Sequence, residues 1–198
     1  MMVELLEKII SRRDLTLNEI SLLIEAGNGA FTREDLLKTG RLTEAELYSA
    51  APLTRTIKKL LDKGLLTESD DAKHRKIYSL NGVQIPDEFK SVLVQIGRSR
   101  ACTLNTIRVS AFLLYQKNLL SSARYIANGL EMDLEYLVNT VLPRMCVLNL
   151  LTRKELTRDN DMHMESEDLE IVESDNARKL MGFSLNTDWK ANIEERWI

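Results

Sequence analysis

The sequence predicts a mainly α chain with small β-hairpins, laid out as two tandem modules of similar plan. Three observations carry this. Glycine and proline are scarce, eight and three in 198 residues, which favours helices joined by short connections. Leu53, Ile57, Leu60 and Leu61 recur at helical spacing ahead of Gly64, and two β-prone runs, Leu65-Leu66-Thr67 and Ile77-Tyr78-Ser79-Leu80, flank a charged tip. The order helix, helix, helix, Leu-Leu-Thr strand then returns about 85 residues later, at Leu150-Leu151-Thr152.

The first module reads as follows. Met2 to Ile10 is an opening helix. Leu17, Ile20, Leu23 and Ile24 form a helical stripe that stops at Gly27-Asn28-Gly29. Thr32-Arg33-Glu34-Asp35 has the form of a capping box, with Leu36 and Leu37 inside the helix it opens. Thr39 to Ala51 is a long connection with a second possible cap at Thr43. Ser49 then suits an N-cap, Pro52 is tolerated in a first turn, and Gly64 is a natural stop after Lys63. Arg55, Lys58, Lys59, Asp62 and Lys63 lie off the apolar face of this helix. A charged tip from Asp70 to Lys76 separates the two strands. Helix, strand, basic hairpin, strand is the order of a winged helix-turn-helix. Residues 48–79 carry seven Lys/Arg against four Asp/Glu, or +3, on a chain whose total is −3.

Val83 to Phe89 reads as a linker, since Pro86 pushes Ile85 out of helix. The expected division is therefore 1–85 for the winged helix and 86–198 for a second, winged-helix-like domain with a dimerisation role. Helices are expected from Pro86 to about Gly97, from Leu104 to Lys117, from Ser121 to Leu130 and from Asp133 to Leu148. The last of these is nearly apolar, with Arg144 its only positive side chain, and reads as buried on more than one face. Arg98, Arg100 and Arg108 are solvated, ion-paired or an extension of a phosphate-contacting surface. The second wing would span Asp159 to Asp175, with eight Asp/Glu and no Lys/Arg. Phosphates would repel it. It reads as a solvated loop or as a docking segment for a basic protein partner. Ala177 to Ile198 holds both tryptophans, Trp189 and Trp197, and is expected to dock on a core or on another subunit.

Composition excludes several classes. No apolar run approaches the roughly 18 residues of a membrane span. The start has no signal-peptide design, and a cytoplasmic location is expected. Cys102 and Cys146 are too few for a disulfide framework or a zinc site and read as small buried hydrophobes. No glycine-rich phosphate loop, GxSxG, HExxH or CxxC is present, so an enzyme, a cofactor and a metal are not expected. His163, between Met162 and Met164, reads as a loop histidine.

Residues 15–80 resemble the DNA-binding lobe of the MarR family of bacterial transcription regulators. Leu61-Asp62-Lys63-Gly64-Leu65 is similar, with a one-residue contraction, to the family's Leu-x-x-Lys-Gly-Leu at the end of its recognition helix. Asp71-Ala72-Lys73-His74-Arg75-Lys76 is similar to its wing, Asp-x-x-Asp-Arg-Arg. His74 replaces the second wing Asp and Lys76 replaces an Arg. The resemblance implies double-stranded DNA as partner, and the apolar stretch Leu134 to Leu148 with Trp189 and Trp197 points to a homodimer as the working form. The helix would meet base edges with Thr54, Arg55, Thr56 and Lys58, with Lys59 beside them. Lys73, His74, Arg75 and Lys76 would grip the backbone or minor groove. Two function classes stay open on the sequence. One is a sequence-specific transcription regulator, with binding at a plasmid-type replication origin or partition site as a variant. The other is a non-enzymatic protein–protein adaptor built on winged helices, favoured by the net charge of −3 and by the acidic second wing.

Overall fold

The structure, a computed structural model, describes residues 4–27, 29–39, 50–81, 87–97, 103–157, 162–173 and 179–189. The chain is mainly helical, with small sheets that are largely antiparallel. It divides into two compact units, Met1–Leu104 and Asn105–Trp189. The division falls later than the Val83–Phe89 linker because the helix after that linker packs back onto the first unit.

In the first unit, helix α1 (Glu4–Ser11) is followed by α2 (Leu17–Ala26). Thr16 and Glu19 form a reciprocal capping box at its start. Strand β1 (Phe31–Thr32) leads into α3 (Arg33–Thr39). The backbone N–H of Thr32 donates to the Asp35 carboxylate at 2.8 Å and that of Asp35 to the Thr32 hydroxyl at 3.2 Å, the box expected from sequence. Helix α4 (Ala50–Asp62), strands β2 (Leu66–Asp70) and β3 (Lys76–Leu80), and helix α5 (Asp87–Gly97) complete the unit. The sheet order is β1-β3-β2, all antiparallel. Helix α5 packs on α2. Leu53, Ile57 and Leu60 are buried, as their spacing requires, and Leu61 is half-buried. The expected caps at Thr43 and Ser49, and Arg98, Arg100, Cys102 and Trp197, lie outside the described residues.

Gly64 has φ +67°, and the N–H groups of Gly64 and Leu65 donate to the carbonyls of Leu61 and Leu60 at 2.9 Å each, closing α4. A Cβ at Gly64 would meet no atom within 4 Å, so only backbone strain opposes a side chain there. Gly64→Ala is expected to cost about 1 kcal/mol in urea unfolding, and Gly64→Asn less, because Asn tolerates this conformation.

The second unit has the same element order with one insertion. Helix α6 (Leu104–Tyr115), strand β4 (Leu120–Ser122) and helix α7 (Ala123–Gly129) precede a long helix. That helix runs through α8 (Leu134–Tyr136), a π-turn (Leu137–Val141) and α9 (Leu142–Val147). Strand β5 (Leu151–Glu155), strand β6 (Met162–His163), helix α10 (Ser166–Glu173) and strand β7 (Met181–Leu185) follow. The sheet order is β5-β7-β4-β6, with only β4 and β6 parallel. Without β6 this is the β2-β3-β1 arrangement of the first unit.

The repetition extends to individual hydrogen bonds. Asn149 stands at φ +56° where the first unit has Gly64. The N–H groups of Asn149 and Leu150 close α9 as those of Gly64 and Leu65 close α4. Tyr78-Ser79-Leu80-Asn81 is matched by Phe183-Ser184-Leu185-Asn186. Asn81 donates its backbone N–H to Leu65 and its side-chain amide to the Gly64 carbonyl, and Asn186 does the same to Leu150 and Asn149. Leu66 pairs with Leu80 and Leu151 with Leu185. Thr16-Leu17-Asn18 at the start of α2 likewise matches Thr103-Leu104-Asn105 at the start of α6. The π-turn has a reason in this comparison. Leu53 precedes Gly64 by 11 residues, whereas the buried Leu137 precedes Asn149 by 12. One inserted residue would rotate Leu137 out of the core, and a π-turn absorbs it.

Several expectations for this half are corrected. Ser121 and Ser122 belong to a strand, not a helix; Ser122 caps α7 through the Tyr125 N–H at 3.1 Å. Arg108 is buried in α6 and is not solvated. The long helix buries Leu137, Val141, Leu142 and Met145 along one face, but Tyr136, Val138 and Val147 are exposed, so it is not buried on more than one face. The acidic segment is no wing tip. Residues 162–173 within it form β6 and α10, and Asp168 is buried, accepting from the Ser122 hydroxyl and from Arg124 Nε at 3.4 Å. His163 stacks on Tyr125 with ring centroids 5.0 Å apart. Trp189 is buried and donates its indole N–H to the Leu148 carbonyl at 2.7 Å, so it docks within its own unit.

Candidate nucleic-acid interface

Two elements of the first unit carry the expected site. Helix α4 turns Leu53, Ile57 and Leu60 inward, which leaves Thr54, Arg55, Lys58 and Lys59 exposed on its outer side. Among the described residues no ion pair holds Arg55, Lys58 or Lys59. Thr56 departs from the expectation. It is buried, and its hydroxyl donates to the Pro52 carbonyl at 3.1 Å, one turn back in the helix. It therefore belongs to the core side of α4 and cannot meet a base edge.

The element expected as a wing is the hairpin of β2 and β3. Asp70 pairs with Lys76, leaving residues 71–75 as the tip. Asp71 organises this tip. Its carboxylate accepts from the backbone N–H groups of Lys73 at 2.7 Å and Arg75 at 2.8 Å, and from Arg75 Nε at 2.7 Å. The backbone N–H of Arg75, its side chain and the N–H of Lys73 together hold the Asp71 carboxyl below its ordinary value against the opposing effect of desolvation. His74 occupies the left-handed region at φ +59° and donates its N–H to the Asp71 carbonyl at 3.0 Å. Lys73, His74, Arg75 and Lys76 are all exposed.

Exposure does not make the four equivalent. Arg75 is tied to Asp71, which raises its guanidinium above the ordinary value. Lys76 is tied to Glu68 across the hairpin, which likewise raises its ammonium. Each cation has a carboxylate beside it that a phosphate must compete with. Among the described residues no ion pair holds Lys73. The open positive charge is therefore concentrated on Arg55, Lys58, Lys59 and Lys73, and the sequence sum of +3 does not reveal that distribution.

Lys63 is turned away from the outer face of α4. Its Nζ lies inward against Glu19 of α2, at 3.0 and 2.9 Å from the two carboxylate oxygens. Glu19 is completely buried. Burial pushes its carboxyl up, but the Thr16 backbone N–H, Lys63 and the Thr16 hydroxyl outweigh that and leave it below the ordinary value.

The second unit has a different outer surface at the matching place. Lys58 and Lys59 precede Gly64 by 6 and 5 residues; Pro143 and Arg144 precede Asn149 by the same amounts. Val138, Asn139 and Thr140 are exposed beside them. Between β5 and β7 the short basic tip is replaced by the segment that contains β6 and α10. No helix is long and apolar enough to cross a membrane among the described residues. Comparison of the chain with protein-family models, curated proteins and solved structures found no match.

Proposed function

We propose that the first unit is a winged helix that binds double-stranded DNA, and that the chain is a sequence-specific transcription regulator acting in the cytoplasm. The observation that carries this reading is the placement of Thr54, Arg55, Lys58 and Lys59 along the outer face of α4, next to a hairpin with a cationic tip. The order α2, β1, α3, α4, β2, β3 with β1-β3-β2 pairing supports it. Arg55 and Lys58 are the base-reading candidates, with Thr54 beside them in the N-terminal half of α4, nearer the end where base edges are usually met. Lys59 and Lys73 neutralise phosphate. The second unit is a second, diverged winged helix in this reading, one that does not read DNA. A salt titration of binding to a random duplex tests the proposal. A DNA binder loses affinity steeply as salt rises; no binding at low salt would leave the adaptor reading, which the outer face of the second unit favours, with Val138, Asn139, Thr140 and Pro143 exposed beside Arg144.

The wing ion pairs make a specific expectation. Lys76→Ala should flatten the salt slope less than Lys73→Ala, because Lys76 already has Glu68 as counter-ion. Glu68→Gln should steepen the slope by about one unit, as for one newly available phosphate contact. Equal slopes for the two alanine variants would show that DNA displaces Glu68 at no cost.

A homodimer would bring two such lobes onto half-sites about one helical turn apart. Most apolar residues of the 134–147 helix are consumed by the core of their own unit, so Tyr136, Val138 and Val147 are the residues left for a subunit contact. Sedimentation of the full chain at micromolar concentration should give a dimer, and Val147→Asp should shift it toward monomer; a wild-type chain that sediments as a monomer removes the dimer from the proposal.

A further inference from the structure

The end of α4 is held by an arrangement that the second unit does without. Lys63 Nζ donates to both Glu19 oxygens at 3.0 and 2.9 Å and to the Asp14 carbonyl at 2.6 Å. Glu19 also accepts from the backbone N–H of Thr16 at 2.7 Å and from its hydroxyl at 2.9 Å. Arg12 donates to the Lys63 carbonyl at 3.2 Å. The last residue after α4 is thus fixed by both its side chain and its backbone to α2 and the segment before it.

The matching positions of the second unit are uncharged. Aligning Thr103-Leu104-Asn105 with Thr16-Leu17-Asn18 puts Thr106 where Glu19 stands, and Thr106 is buried too. Aligning Asn149 with Gly64 puts Leu148 where Lys63 stands. The same element order, sheet order and helix closure are built around Thr and Leu. The scaffold therefore does not require the ion pair, and burying the Glu19 carboxylate against a half-buried Lys63 costs free energy that apolar packing does not. What the pair adds is direction. A lysine ammonium reaches both oxygens of a buried carboxylate from few positions, whereas apolar side chains tolerate sliding and rotation.

We infer that Glu19 and Lys63 are positioning residues that fix the rotation and axial placement of α4, so that Arg55 and Lys58 meet base edges in one register. The inference rests on the DNA-binding reading of the first unit. Arg55 lies about 12 Å along the helix from Lys63, and a helix is stiff over that length, so an error at the anchored end is carried to the reading end. Phosphate contacts from long lysine side chains tolerate such an error; bidentate base contacts do not.

The test transplants the second unit's solution. The full chain carrying Glu19→Thr and Lys63→Leu together is compared with the wild type on two probes, a duplex selected by the wild type from a random-sequence pool and a mixed-sequence duplex. The double variant should unfold cooperatively and hold the mixed-sequence duplex with unchanged affinity and salt slope. Its preference for the selected duplex should fall about tenfold, the scale of one misread base pair. A folded variant with full preference overturns the inference. So does a variant that fails to fold, since Thr and Leu would then be unable to sustain this scaffold. A wild type that holds neither duplex at low salt removes the DNA reading itself; a wild type with a preference that the variant shares removes only the positioning role.

Discussion

Lys63→Met alone is expected to destabilise the first unit by about 3 kcal/mol at neutral pH, the scale of breaking a buried ion pair from one side. The loss comes from Glu19 more than from lysine. Its carboxylate is completely buried and would keep only its Thr16 partners. The pH dependence identifies the cause. In the wild type the Glu19 carboxyl is held below its ordinary value. Its contribution is therefore complete above the carboxylate pKa of the unfolded chain and lost as pH falls through the lower folded value. In Lys63→Met the burial that pushes the carboxyl up acts with less opposition. The carboxylate becomes a liability that protonation relieves, so the gap between variant and wild type should shrink toward about pH 4. Urea unfolding at the two pH values measures this. A gap that does not change with pH would mean that the lysine acts through packing alone.

Replacing Arg55, Lys58 and Lys59 together with Ala is expected to abolish the preference for the selected site and to flatten the salt dependence of DNA binding by at least about one unit, since Lys59 at a phosphate contributes close to one. None of the three supports the core, so the fold should be unaffected. The single change Arg55→Ala separates roles within the set. It should cost about 1–3 kcal/mol on the preferred site and less on random DNA if Arg55 meets a base. Equal losses on both probes would make Arg55 a phosphate contact. A triple variant with the wild-type slope would move the interface off α4.

How far the sequence reaches can be judged from particular residues. The period of Leu53, Ile57 and Leu60 predicts α4 and its buried face because helix geometry alone places them together. Thr32 with Asp35, and Gly64 after Lys63, predict a helix start and a helix end because each satisfies orphan backbone groups locally. Residues 162–173 escaped such reading. Composition describes them as solvated and acidic, but one carboxylate, Asp168, is satisfied by Ser122 and Arg124, more than 40 residues away. Strand β1, two residues long, is too short to show a period. A signal for β7 was present in Phe183-Ser184-Leu185-Asn186, the near copy of Tyr78-Ser79-Leu80-Asn81, yet the inserted segment before it shifts the spacing.

The sequence by itself determined the mainly helical class, the boundaries of the helices with strong caps, and the concentration of positive charge between residues 48 and 79. These follow from interactions within a few residues of each other. Only the tertiary structure decided which of those charges are open. It turned Thr56 and Lys63 inward, placed Glu68 and Asp71 against Lys76 and Arg75, and left Arg55, Lys58, Lys59 and Lys73 outside. Helical phase locates a residue on a face, but whether a cation is free depends on which carboxylates folding brings within about 4 Å, and Glu68 and Glu19 reach their lysines from a neighbouring strand and a neighbouring helix.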